Sequence, residues 1–173
     1  MAGSFLNSQG NGSDLIKDSK MFMYRGRNKK VRVAVNFSNI LMQNHEGFFN
    51  KVKLAQQFAN TETSNEDIMS FMQERFLNEI QEVKVSRMYN PFGSVKASFS
   101  SKRPNQIRLN AWNLGRDADS ITGSIIHEFV HLVDNFYKNA KFGHTYHNHA
   151  ARKHSAPYAI GYIAKQHCME TID

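Results

Sequence analysis

The stretch SITGSIIHEFVHLVDNFYK, from Ser120 to Lys138, sets Ile121, Ile125, Phe129, Leu132 or Val133, and Phe136 at three- and four-residue intervals. That spacing is one stripe of an α-helix, and a strand cannot hold it, because a strand turns successive side chains to opposite faces. A helix with such a stripe must be covered by other elements, so the chain has to build a core around it. The opposite side carries Gly123, His127, His131 and Asp134. His127-Glu128-Phe129-Val130-His131 is an HExxH sequence. Four residues apart on a helix, two imidazoles stack about 6 Å from each other and can share one metal ion, with Glu128 beside them as general base for a water. Neutral imidazole suits Zn²⁺. Gly123, one turn earlier, is read as space beside the first ligand, and Asp134 as a carboxylate that orients His131 or binds the metal itself.

Two helix ligands leave the coordination sphere short of one protein group. Seven of the eight His fall between His127 and His167, an enrichment that a structural core does not need. The third ligand is expected in KFGHTYHNHAARKH, where Gly143 suits a turn and His144 follows it directly. His144 ranks first, then His147 and His149, with His154 and Glu170 behind them. When water adds to a carbonyl, the developing oxyanion needs a donor. APYAIGYIA offers Tyr158 and Tyr162 one helical turn apart, with Tyr158 preferred. A single cysteine, Cys168, excludes an intrachain disulfide and a cysteine-based zinc cage, so any metal rests on His and carboxylates.

At 173 residues and 40% hydrophobic content the chain can fill one core, which gives a single domain over 21–173 behind a flexible tail at 1–20. The tail is rich in Gly, Ser and Asn, and too poor in large apolar groups to offset its ordering entropy. KKVRVAVNF alternates at period two through Val31, Val33 and Val35 and reads as a half-buried strand. A helix is expected from Glu46 to Asn60 on Phe48, Val52, Ala55 and Phe58 or Ala59. A second starts at Ser64 or Asn65 and runs through Ile68, Phe71, Met72, Phe76 and Ile80 to Val83. After the turn Asn90-Pro91-Phe92-Gly93, SVKASFSS and NQIRLNAW form two strands joined near Lys102–Asn105. Asp117 and Asp119–Ser120 offer N-caps to the HExxH helix.

The net charge of +7 is segregated. Arg25, Arg27, Lys29, Lys30 and Arg32 form one basic cluster. Val83–Arg116 holds Lys84, Arg87, Lys96, Lys102, Arg103, Arg108 and Arg116 without an acid, whereas Glu46–Glu82 is mostly acidic. A basic surface attracts acidic proteins, nucleic acid or anionic lipid. No apolar run is long enough to span a bilayer and the start lacks a secretory pattern, so the expected location is cytoplasmic, with non-classical export as an effector the alternative.

HEFVH on a helix preceded by a strand meander resembles the zincin metallopeptidases. Asp134 and Tyr137 stand where the metzincin branch has Gly and His, and Glu170 is the sole Glu after the motif. The pattern therefore resembles a minimal zincin with a His third ligand, as among bacterial and phage effector proteases. The resemblance implies an α+β domain with a small twisted mixed sheet, the HExxH helix and a C-terminal helical segment. It also implies His127 and His131 as zinc ligands, Glu128 as catalytic base, and Ile107–Asn110 as the edge strand that binds an extended peptide. The expected function is zinc-dependent hydrolysis of peptide bonds in a protein or peptide substrate, acidic or nucleic-acid-associated. The alternatives are a non-catalytic basic nucleic-acid-binding module and a zinc amidase acting on a non-protein amide such as peptidoglycan.

Overall fold

The computed structural model describes residues 21–43, 45–59, 61–78, 82–143 and 153–170. The expected tail at 1–20 lies outside them. The fold is α+β. The described residues form helices α1 (Lys29–Gln43), α2 (His45–Lys53), α3 (Asn65–Asn78), α4 (Ala118–Phe136) and α5 (Ala156–Glu170). Four strands, β1 (Phe22–Met23), β2 (Val83–Met88), β3 (Ala97–Phe99) and β4 (Gln106–Asn110), make one mixed sheet in the order β1-β2-β4-β3. The first three in that order are mutually parallel and β3 runs antiparallel to β4.

Val31–Val35, expected as a strand, belongs to α1. Its buried positions are Val31, Ala34, Val35, Ser38, Asn39, Leu41 and Met42, a helical stripe that continues well past the three valines, while Val33 faces solvent. Asn28 caps the start by accepting from the Val31 N–H at 3.1 Å. The helix expected over Glu46–Asn60 stops at Lys53. The next begins behind Ser64, whose hydroxyl accepts from the Asp67 N–H at 3.0 Å; its described residues run to Asn78, and Val83, expected at its end, lies in a strand. Val83 opens β2, whose Val83 and Val85 are buried while Lys84 is exposed, the period of a half-covered strand. Asp117 takes the N-cap position of α4 without a side-chain cap bond.

The helices cover one sheet face, that of Val83, Val85, Ala97, Ile107 and Leu109. The other face presents Lys84, Ser86, Ser98, Gln106 and Arg108. Buried Asn39 closes the β1 edge: Phe22 N–H donates to its Oδ1 at 2.9 Å and its Nδ2 donates to Phe22 O at 3.0 Å. At the other edge stands β3, not the Ile107–Asn110 segment, because β4 is paired on both sides.

α4 is the hub, packed against α1, α5 and the sheet. Its Phe129 meets Phe22 edge to face at 5.2 Å. Where α4 crosses α5, a Cβ on Gly123 would lie 2.6 Å from Gly161 O, and one on Gly161 would lie 2.7 Å from Gly123 O and 3.0 Å from His127 Cβ. Gly123 therefore serves the helix crossing and does not make room for a ligand. Gly161→Ala should lower stability by about 1–3 kcal/mol through overpacking against backbone, read from the denaturant midpoint. An unchanged midpoint would contradict this crossing.

Candidate active site

The HExxH residues sit on α4 beneath the sheet edge. The rings of His127 and His131 lie 5.1 Å apart at 67°, so one helix face brings both imidazoles to a common point. Both are half-buried. Asp134, one turn on, accepts from the Phe142 N–H at 2.8 Å. A Cβ on Gly143 would fall 2.6 Å from Asp134 Oδ2 and 3.8 Å from His131 Nδ1. Asp134 and the Nδ1 edge of His131 thus both face the backbone at Gly143, which leaves Nε2 of His131 as the nitrogen for a metal.

Glu128 is buried, and its Oε2 accepts from the Phe99 N–H of β3 at 2.7 Å. Its Oε1 is 4.0 Å from His127 Nε2. The register explains the bond to β3. Asn110 N–H donates to Lys96 O, so in this antiparallel pair Lys96 and Ser98 bond toward β4, while Ala97 and Phe99 turn their backbone groups to the outer edge, which is open among the described residues. The carboxylate is therefore held at the open edge itself. Burial pushes the Glu128 carboxyl up to about 7, against the Phe99 N–H, which favours its ionised form.

Tyr158, from the first turns of α5, meets the His127 ring edge to face at 4.5 Å and 82°. Tyr162, one turn later, is 63% exposed. The Gly123–Gly161 crossing sets α5 close enough for Tyr158 to reach His127. The remaining sequence candidates divide. His144, His147 and His149 lie outside the described residues. His154 is exposed, with its carbonyl accepting from the Ala59 N–H, and Glu170 pairs with Lys51 at the far end of α5. His167 lies against Gly47 and Phe48 of α2.

Among the described residues no group of three or more His, Cys, Asp or Glu converges to hold a metal. His127 and His131 fit zinc in donor type, separation and half-buried setting, and they need a further ligand from outside those residues. A recess of about 1250 Å³ lies at the C-terminal end of α4, and Thr63, Phe71, Tyr137 and Lys141 in its walls set it apart from the two imidazoles. Two contributors escaped the sequence reading: the Phe99 N–H, a backbone group, and Gly161, whose signal was a glycine inside a helical pattern. Compared with known proteins, the chain matches no protein-family profile, no curated protein and no solved structure.

A raised carboxyl has a consequence for stability in the metal-free protein. The folded state binds the Glu128 proton more tightly than the unfolded one, so its contribution is full below about 4.5 and is lost as pH rises through about 7. On this account Glu128→Gln should gain on the parent by up to about 3 kcal/mol across that window. Denaturation midpoints measured at several pH values check it, and parallel curves for the two proteins would contradict the buried carboxyl.

Proposed function

We propose that this protein is a zinc-dependent metallopeptidase that hydrolyses a peptide bond in a polypeptide extended along β3. The observation that supports it most is the position of Glu128. A buried carboxylate beside two metal-competent imidazoles is anchored to the open edge of a strand, where an added strand would bring its backbone carbonyls. The zinc ligands on this reading are His127 and His131 with His144, His147 or His149 as the third.

Zinc held by His127 and His131 would supply Lewis acidity toward the scissile carbonyl and a water. The chain's own groups do the rest. Glu128 takes a proton from the attacking water and delivers it to the leaving amine, from a carboxylate fixed in place by the Phe99 N–H. The Tyr158 hydroxyl, carried by a ring fixed against His127, donates to the oxygen that gains charge. Ala97 offers its N–H and C=O to the substrate backbone, and Asp134 orients His131.

The nucleic-acid-binding reading has support of its own in the exposed Tyr89, Phe92 and Trp112 near the exposed Arg87 and Lys96. It leaves the burial of Glu128 without a purpose. Hydrolysis of a non-protein amide uses the same groups but has no need of an open strand edge. Incubation with an unfolded acidic protein should give chelator-sensitive fragments, and Glu128→Gln should slow their release at least about 100-fold. Fragmentation at the parent rate by Glu128→Gln would overturn the mechanism.

A further inference from the structure

The connection from β2 to β3 and the turn after β4 present an apolar surface to solvent. Phe92 is fully exposed, Tyr89 is 70% exposed, Trp112 is 61% exposed and Val95 is 45% exposed. Tyr89 and Trp112 stand edge to face at 6.1 Å.

The segment is tightly held. Asn110 is fully buried, and its amide accepts from the Asn90 N–H and donates to Asn90 O and Val95 O, at 3.1, 2.8 and 3.0 Å. Asn113 donates to Val95 O as well. A loop fixed by a buried amide while its aromatics face water is an unusual expense of apolar surface for a fold alone.

Its place relative to Glu128 gives it direction. β3 runs from Ala97 to Phe99, so a strand added antiparallel, the commoner pairing, enters at Phe99 and Glu128 and leaves past Ala97 and Lys96 over Val95. At about 3.4 Å per residue, Val95 and the aromatics lie roughly four to six substrate residues beyond the bond at Glu128, on its C-terminal side. The surroundings are basic: Arg87 and Lys96 are exposed, and no acid occurs anywhere in Val83–Arg116.

We propose that Tyr89, Phe92, Val95 and Trp112 form a substrate-selecting platform for an aromatic residue in an acidic segment, roughly four to six residues C-terminal to the cleaved bond. This rests on the peptidase reading above. The platform selects substrates by apolar contact and is tuned by charge, so it favours extended acidic polypeptides over short or basic ones.

Trp112 is the chain's only tryptophan, so its emission reports on the platform alone. The probe is a set of Glu-, Ser- and Ala-rich peptides of about a dozen residues, each carrying one Phe at a different position. Titrated into the Glu128→Gln protein, they should shift Trp112 emission to the blue. Replacing the peptide's Phe with Ser, or Phe92→Ser in the protein, should weaken binding about fivefold. With the parent protein, mass spectrometry should show the cleavage site moving in step with the Phe. Cleavage at sites indifferent to the Phe, with Trp112 silent, would overturn the platform and leave the peptidase standing. Binding with the emission shift but no cleavage by the zinc-loaded parent would contradict the peptidase reading and keep the platform as a peptide site. A Trp112 response to a single-stranded oligonucleotide and to none of the peptides would overturn the proposal.

Discussion

The crossing of α4 and α5 is made backbone to backbone, at a point where neither Gly123 nor Gly161 has room for a Cβ. Two consequences follow from that approach. It drives α4 into the centre of the molecule, with α1 and the sheet on its other sides, and so fixes the orientation of the HExxH face. It also brings Tyr158 onto the His127 ring. A glycine inside a helix costs about 1 kcal/mol relative to alanine, and both helices carry one where they meet. The geometry of the candidate site depends on this crossing before it depends on any side-chain bond.

The second constraint is the edge of the sheet. An open edge with unpaired backbone groups is a hazard that proteins normally cover. At the β1 end the Asn39 amide covers it. At the β3 end Glu128 occupies the Phe99 N–H, a carboxylate in a place where burial disfavours its charge. The two edges are treated differently, one sealed by a neutral amide and the other held by a titratable group beside two imidazoles. Local rules of folding are broken most visibly where the chemistry is proposed. The charge distribution follows the same division. α3 and the turn before it expose Glu62, Glu66, Asp67 and Glu74, while the sheet and its connections expose Lys84, Arg87, Lys96, Lys102 and Arg103.

The sequence revealed the HExxH helix and the β3–β4 hairpin because each had a clear period and clear punctuation. Val31, Val33 and Val35 misled because β-branched residues two apart imitate a strand, and tertiary burial of Ala34, Ser38 and Leu41 overrode that local preference. Val83 keeps helical spacing after Ile80, so the start of β2 was absorbed into the preceding helix and its remainder was given no element. Edge and interior strands could not be told apart either, since strand order is set by long-range pairing and not by the alternation within β4. The bond from the Phe99 N–H to Glu128 was out of reach for a similar reason: it joins a backbone group to a side chain 29 residues away, and backbone donors leave no mark on residue type. The sequence preferred Tyr158 to Tyr162, but the reason lies in the helix crossing, which sets Tyr158 against His127 while Tyr162 faces solvent. His144, His147 and His149, the expected sources of the third ligand, lie outside the described residues.

On the proposed function His127 and His131 hold one metal ion together. Elemental analysis of the purified chain, beside His131→Ala prepared in the same way, tests it most directly. The account predicts about one zinc per chain in the parent and little in the variant, because removing one of two helix ligands leaves too few donors. No zinc in the parent after reconstitution, or equal zinc in both proteins, would contradict it.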